Sequence, residues 1–183
     1  QDQLAALNLG TPEEPRVFGA KNAAKLVETR ERARTMPLNR WLHALAIPEV
    51  GETIAYDLGK VHDSLAEVAN SSVLRDVLEL DQLKARADQT KPPRRTKSNP
   101  MPDEQYAALV AEHEKVLAEI EQVRARLEAV GFGTRTKKKD GEGFTTKVGP
   151  VVARAVLDFF QSEPGQYVLK RLAELGIDPR GET

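Results

Sequence analysis

The chain has 183 residues, a formal net charge of −1, 40% hydrophobic residues, 30% charged residues and no cysteine. This composition is typical of one soluble helical domain, or a domain with an appendage, and it excludes disulfides and thiolate zinc sites within these residues. It also argues against a protein that grips nucleic acid through bulk positive charge, so any such binding must use local patches.

The sequence carries no recognisable membrane or secretion segment. No apolar run approaches the roughly 18 residues needed to span a bilayer. The first residues lack the basic, then apolar, pattern of a signal peptide. With no cysteine, the chain is predicted to be cytoplasmic. It starts at Gln1 rather than Met, which predicts a segment of a longer protein.

A helix pattern covers residues 2–9. After a proline-bearing loop, Phe18 and Gly19 lead directly into an alanine-rich helix that is predicted to continue to Arg34. Residues 16–40 carry seven Lys or Arg residues against two Glu residues, a local net charge of +5. Both a solvated helix face and a patch for an anionic partner explain such a run.

Residues 38–60 predict two helices joined by a tight bend. The apolar residues before the bend recur at the spacing of one helix face: Leu38, Trp41, Leu42 and Leu45. We expect Gly51, at the bend, to need a positive φ or a close backbone approach. The helix that follows presents free N–H groups and the positive end of its dipole, which suits a phosphate. An ordinary connection between packed helices explains the same pattern.

Short helices capped by Asp63-Ser64 and by Asn70-Ser71-Ser72 follow. Residues 84–146 then predict an inserted arm. A basic, proline-punctuated loop at 91–100 precedes apolar residues spaced four and three apart, like a coiled coil with one polar interruption. This seam is Leu109, His113, Val116, Ile120, Val123, Leu127 and Val130. We expect it to pair antiparallel with residues 73–87, a second copy of the chain being the alternative. Residues 135–143 are predicted to be a flexible basic loop.

The last part repeats the earlier theme. Val148 and Gly149 lead into a helix that begins at Pro150, a favoured first helical position for proline. Ser162 is predicted to cap a final helix. Residues 179–183 are predicted to start a linker.

Three bends, at Phe18-Gly19, Val50-Gly51 and Val148-Gly149, each open a helix and predict tandem helix-hairpin-helix motifs. Their order, with Phe159-Phe160 after the third bend, resembles the helix-hairpin-helix domain of bacterial NAD-dependent DNA ligases. The resemblance covers residues 1–83 and 147–178, and residues 84–146 have no counterpart in the family pattern. It implies an all-α tandem helix-hairpin-helix domain with an inserted coiled-coil-like arm.

The resemblance also implies a non-catalytic domain that binds nicked duplex DNA through phosphates and the minor groove, without sequence preference. In the family, a lysine elsewhere is adenylated from NAD, and zinc and magnesium belong to other domains. No catalytic residue, cofactor or metal is therefore expected in this chain. Other domains of the same ligase are expected partners, no membrane is, and the partner of the arm stays open. The candidate phosphate-contacting residues are Phe18, Gly19, Lys21, Asn22, Val50, Gly51, Glu52, Thr53, Val148, Gly149, Pro150 and Val151.

The sequence departs from the family pattern at each bend. Val17, Glu49 and Lys147 stand where the family has its first glycine, and the expected third hairpin near residues 61–64 has no glycine. The bends are therefore expected to be less permissive, or to bind phosphate less well.

Other site types find little support. The three histidines, His43, His62 and His113, share no metal-ligand spacing. Trp41 lies on an apolar helix face and is expected in the core, and there is no nucleophile elbow, P-loop or dinucleotide fingerprint. Two rival functions stay open. One is a helix-hairpin-helix module of another repair or recombination protein, and the other is a helical scaffold that binds protein through residues 103–130.

Overall fold

The computed structural model describes residues 2–96, 100–138 and 141–181. Within them the chain is helical apart from one two-stranded antiparallel sheet, so the predicted all-α class is confirmed. In chain order the elements are α1 (Asp2–Ala5), α2 (Ala20–Arg34), α3 (Leu38–Ala44), α4 (Glu52–Gly59), α5 (Leu65–Ala69), α6 (Ser72–Thr90), α7 (Asp103–Ala129), β1 (Gly133–Lys138), β2 (Gly141–Thr146), α8 (Pro150–Gln161) and α9 (Glu163–Glu174).

Helix boundaries follow the predicted capping residues. The hydroxyls of Ser64, Ser71 and Ser162 each accept a hydrogen bond from the backbone N–H three positions later, at the starts of α5, α6 and α9. Gly131 and Gly176 take φ values of 69° and 62° just beyond α7 and α9. Glycine adopts this conformation without the steric cost of a Cβ, which ends both helices.

Helices α6 and α7 form an antiparallel pair, as predicted. Their seam is lined by buried Val77, Leu80, Leu83 and Ala87 of α6 and by buried Val116, Ile120, Val123 and Leu127 of α7. Ion pairs fix the register, because Arg86 Nη2 lies 2.6 Å from Glu112 Oε1 and Arg126 Nη2 lies 2.7 Å from Asp76 Oδ1. The seam is therefore occupied within one chain. Helix α6 runs without a break through the predicted domain boundary after residue 83.

The ends of the predicted seam lie outside the packed part. Leu109 is 37% exposed and Val130 is 46% exposed. His113, the polar interruption, places Nδ1 3.3 Å from the hydroxyl oxygen of Thr90 on α6. The tight part of the pairing thus begins at Val116 and ends at Leu127.

A β-hairpin occupies most of the predicted basic loop at residues 135–143, and that prediction was wrong for the described part. Strands β1 and β2 pair with Arg135 opposite Phe144 and Thr136 opposite Gly143. Lys139 and Asp140, named in that prediction, lie outside the described residues. The same holds for Lys97, Ser98 and Asn99 of the other predicted loop.

The base of the hairpin packs on α7. Phe132 is fully buried and Phe144 is 9% exposed, while the guanidinium of Arg124 on α7 lies 5.6 Å from the centre of the Phe144 ring. Gly133 is needed here, since a Cβ at this position would lie 2.3 Å from the Phe144 ring. The buried rings of Phe132 and Phe144 therefore hold the hairpin on α7, although its strands are rich in charged residues and glycine rather than in typical strand residues.

Helix α8 joins this pair to the rest of the core. Its buried face, which includes Val156 and Phe160, packs on α5 and α6. The C-terminal segment is also held, because Leu38 N–H donates to Arg180 O and Gly181 N–H donates to Asp63 O. Residues 179–181 of the predicted linker are thus packed against the domain, and the last two residues lie outside the described part.

Candidate nucleic-acid interface

The Val50-Gly51 bend joins two packed helices, as predicted. Leu38 and Leu42 on α3 are fully buried, and Ala55 and Leu58 on α4 are no more than 1% exposed. Val50 is 7% exposed, and its N–H donates to Ile47 O at 3.1 Å. The bend is thus anchored to the core by its apolar residues, which leaves only its backbone and polar residues for a ligand.

Backbone strain in the connection from α3 to α4 lies at Ala46, with φ 50°, and at Glu49, not at Gly51 as expected. Gly51 has φ −82° and ψ −179°, which any residue adopts, and a Cβ added to it would meet no atom within 4 Å. Glu49 has φ 66°, in the left-handed region that favours glycine. Glu49 stands where the resembled family has glycine. The strain at Glu49 therefore comes with that departure, and the space around Gly51 is open.

The Phe18-Gly19 bend is held by the segment before it. Helix α1 ends at Ala5 rather than at residue 9, and the chain folds back so that Phe18 N–H donates to Leu7 O and Gly19 N–H donates to Ala5 O. Gly19 has φ 85°. The side-chain amide of Asn22 donates to Phe18 O at 2.7 Å, which closes the bend. That amide is therefore already engaged within the chain.

The Val148-Gly149 bend, the third in the chain, follows a strand, so it is not a helix-hairpin-helix of the expected kind. Lys147 N–H donates to Phe132 O at 2.9 Å, and Val148 is 2% exposed. Gly149 has φ −82° and ψ 171°, with open space where a Cβ would stand. Helix α8 then begins at Pro150, as predicted. The bend is fixed by the β-hairpin instead of a preceding helix.

All three bends open a helix on glycine without a side-chain cap. Gly19, Gly51 and Gly149 precede α2, α4 and α8, and no side chain accepts a hydrogen bond at these helix starts. Within the described residues, the N–H groups of the first three residues of α2 and α4 find no acceptor, nor do those of Val151 and Val152 in α8, where Pro150 has no N–H. By contrast, α5, α6 and α9 are capped by serine. An uncapped helix start carries unpaired donors and partial positive charge.

The first and third bends are flanked by cations. Among the described residues, Lys21 and Lys25 on α2 make no ion pair, and neither do Lys147 and Arg154 beside the third bend. From the sequence, Lys147 was identified only as a residue that stands where the resembled family has glycine, not as a phosphate-binding cation. Arg154 was missed, although its place just over one turn after Gly149 is a usable signal.

The second bend is flanked by acids. Glu49 precedes Gly51, and Glu52 is the first residue of α4. One cation offsets them, because Arg40 Nη1 on α3 lies 3.2 Å from Glu52 Oε1. Arg40 belongs to the basic stretch of residues 16–40 but was not singled out as a site residue.

The basic stretch itself is partly neutralised. Arg32 Nη2 lies 2.7 Å from Glu28, and Arg30 Nη2 lies 3.0 Å from Glu31. Arg34 donates to the backbone carbonyl of Leu175 at 2.8 Å, which ties the end of α2 to α9. The cations left for an anionic partner therefore cluster at the start of α2. No hydrogen bond or ion pair of the described residues joins one bend to another.

A buried Ser–His pair elsewhere serves the fold. His62 Nε2 lies 2.7 Å from Ser71 Oγ, and His62 Nδ1 lies 2.8 Å from Leu58 O. Ser71 also accepts the N–H of Leu74, and both His62 and Ser71 are 2% exposed. Burial lowers the pKa of His62, so the neutral ring is favoured. A hydroxyl that is buried and already caps α6 is unsuited to attack a substrate.

The structure also bears on Trp41, on a possible metal site and on membrane-spanning helices. Trp41 packs against the hydrophobic core, as expected. Among the residues that the structure describes, no three His, Asp or Glu side chains converge to hold a metal ion. No described helix is long and apolar enough to cross a membrane.

The chain is similar to one segment of proteins named DNA ligase. It is 38% identical over 184 aligned positions to the DNA ligase of Akkermansia muciniphila, a match that covers 100% of the chain and 23% of that protein. DNA ligases of two strains of Methylorubrum extorquens are 30% and 29% identical, each over 89% of the chain and 23% of the relative. The chain thus spans about a quarter of the length of these curated relatives. No family model and no solved structure matches it.

Proposed function

We propose that this chain is the non-catalytic DNA-binding domain of a cytoplasmic NAD-dependent DNA ligase, the enzyme that seals nicks in replication and repair. The domain binds nicked duplex DNA through the phosphate backbone and the minor groove, without sequence preference. Similarity to a segment of proteins named DNA ligase supports the parent, and the Val50-Gly51 bend, which joins the packed helices α3 and α4, supports the helix-hairpin-helix type.

The observation that carries this proposal is the contrast between the glycine-led and the serine-capped helix starts. Helices α3 and α7 also lack a side-chain cap, but the first N–H of α3 donates to Arg180 O, and α7 opens with two acids that would repel a phosphate. Helices α2, α4 and α8 open on glycine with unpaired N–H groups, whereas serine hydroxyls occupy the starts of α5, α6 and α9. A phosphate oxygen satisfies such N–H groups and gains from the helix dipole. Contacts of this kind fix position on a duplex but read no base, which suits an enzyme that acts at any sequence.

The three bends contribute unequally. Lys21 at the first bend, and Lys147 and Arg154 at the third, add charge attraction to the backbone contacts. Glu49 and Glu52 oppose it at the second. The first and third bends therefore supply most of the affinity, and the second supplies mainly shape.

The proposal places the chemistry outside this chain. Lysine adenylation from NAD, and the zinc and magnesium that accompany it, belong to other domains of the same ligase. Within the described residues, the buried His62–Ser71 pair serves the fold rather than catalysis. The domain positions the nick for those other domains and is inactive alone.

A helix-hairpin-helix module of another repair protein is the remaining rival, and the ligase relatives favour the ligase. The protein-scaffold alternative relied on a free seam along residues 103–130. That seam is covered by α6, since Val116, Val123 and Leu127 are each no more than 1% exposed. No observation favours that alternative.

Fluorescence anisotropy with labelled nicked and intact duplexes tests the proposal. Phosphate contacts by three cations, Lys21, Lys147 and Arg154, give a slope of log K against log salt of about −2.7, so affinity falls about 40-fold between about 50 and 200 mM salt. Duplexes of different sequence bind alike. Absence of binding to either duplex at about 50 mM salt, or a strong sequence preference, overturns the proposal.

A further inference from the structure

A polar groove lies beside the second bend, between α3 and α4. Its volume is about 410 Å³, and its lining residues are Asn39, Arg40, His43, Glu52, Thr53 and Tyr56. One ion pair crosses it, with Arg40 Nη1 3.2 Å from Glu52 Oε1. Lys60 Nζ lies 4.3 Å from the centre of the ring of Tyr56, one of these lining residues.

The ion pair is weakly held. The side chains of Arg40 and Glu52 are 60% and 74% exposed, and exposed pairs of this kind contribute little to stability. Both partners are therefore free to exchange water or another ion at little cost. Arg40 in particular has five donors, of which this single bond uses one.

The position of Glu52 is unlike that of its counterparts. It is the first residue of α4, where the helix dipole favours a negative charge. The first residues of α2 and α8 are Ala20 and Pro150, which carry none. Of the three glycine-led helices, α4 is therefore the one with a carboxylate on its first residue, next to the N–H groups that a phosphate would bind.

We propose that Arg40 and Glu52 perform a charge exchange when DNA binds. In the free domain the Glu52 carboxylate lies beside the positive end of α4 and holds Arg40. A DNA phosphate then takes Arg40 as its partner, and Glu52 turns out to solvent. Arg40 is a direct phosphate contact of the second bend, and Glu52 is its built-in competitor. This inference rests on the proposed function. It assigns a direct DNA contact to the second bend, which otherwise contributes least to DNA affinity.

The exchange predicts opposite effects of two neutral variants. Glu52→Gln removes the competitor and frees Arg40, so duplex affinity rises about three- to fivefold, the effect of one charge close to a phosphate at a protein surface. Arg40→Gln lowers affinity by a similar factor and makes the salt slope shallower by about one. Arg40→Lys keeps the charge and restores most of the loss and the slope.

Two comparisons make the test specific. Glu163→Gln is the matched control, because Glu163 is likewise the first residue of a helix, the serine-capped α9; its affinity equals wild type. The double variant Arg40→Gln, Glu52→Gln binds more weakly than Glu52→Gln alone, because the phosphate contact of Arg40 is lost. Equal binding would mean that Arg40 merely neutralises Glu52, which overturns the direct contact.

Anisotropy titrations of the intact domain separate the possible failures. Wild-type protein that binds no duplex overturns the proposed function and this inference with it. Wild-type binding with Glu52→Gln unchanged, or equal gains in Glu52→Gln and Glu163→Gln, overturns the inference alone. Because the side chains of Arg40 and Glu52 are both exposed, we expect the variants to fold like the wild type. Thermal unfolding verifies that each variant is folded at the assay temperature.

Discussion

Gly149→Asp should stabilise the domain and weaken DNA binding at the same time. Gly149 precedes α8 with φ −82° and ψ 171°, which is the extended conformation of a helix N-cap residue. A Cβ added there meets no atom within 4 Å. The aspartate carboxylate can therefore accept the unpaired N–H groups of the first turn, where a phosphate oxygen is proposed to lie.

The opposite signs follow from separate terms. An aspartate cap in place of glycine contributes a few tenths of a kcal/mol, its charge at the helix start about 0.3–1 kcal/mol, and the lost freedom of the unfolded chain about 0.4–1 kcal/mol. Unfolding free energy thus rises by about 1–2.5 kcal/mol, and Tm by about 3–6 °C. Affinity for duplex DNA falls about tenfold, which corresponds to about 1.4 kcal/mol of lost contact and added repulsion.

Thermal unfolding and anisotropy on the same preparation measure both effects. Ser162→Asp is the matched control, because it adds the same charge at the other end of α8, about 18 Å away for a helix of 12 residues. The control leaves DNA affinity unchanged. Wild-type affinity in Gly149→Asp refutes phosphate contact at this bend, and a lower Tm refutes the capping geometry.

Three further outcomes are expected. Burial lowers the pKa of His62, so below pH 6.5 the unfolded chain binds a proton that the folded chain does not. The unfolding free energy therefore falls as the pH drops below 6.5, by up to about 1.4 kcal/mol per pH unit. His62→Gln removes this contribution to the pH dependence in urea unfolding, and an unchanged pH dependence would contradict the role of His62. Leu127→Ala, at a fully buried seam position, costs about 2–5 kcal/mol. Leu117→Ala, 43% exposed on the same helix, stays within about 0.5 kcal/mol, and equal losses would disprove the packing. Glu49→Gly relieves the positive φ and raises stability by about 0.5–1 kcal/mol. Glu49→Ala keeps the strain, so only the glycine variant gains stability although both gain DNA affinity.

Local signals predicted the helices well, because each carried its own physical cause. Ser64, Ser71 and Ser162 cap the helices they precede, and the spacing of Leu38 and Leu42 placed the buried face of α3. The antiparallel pairing of α6 and α7 was also predictable, since two apolar seams of similar period lie on either side of one loop.

The β-hairpin was not predictable from its own strands. Arg135 and its lysine neighbours suggest a solvated loop, and the order of the segment comes from Phe132, Phe144 and the close fit of Gly133 against the Phe144 ring. Those contacts depend on where α7 ends, which a local pattern does not contain.

The candidate site shows the same division. The glycine-led helix starts follow from the sequence, but the positive φ falls on Glu49 rather than on Gly51, because the turn geometry is set by how α3 and α4 pack. The pairing of Arg40 with Glu52, 12 residues apart, likewise depends on that packing. Both are properties of the folded bend.

Amide chemical-shift mapping of the domain with a nicked duplex tests the central claim most directly. If the glycine-led helix starts hold phosphates, the largest shifts on DNA addition occur at the unpaired backbone N–H groups of residues 20–22, 52–54 and 151–152. The serine-capped starts at Ser64, Ser71 and Ser162 then shift little. Shifts that avoid all three bends, or that fall mainly on the serine-capped helices, would contradict the account.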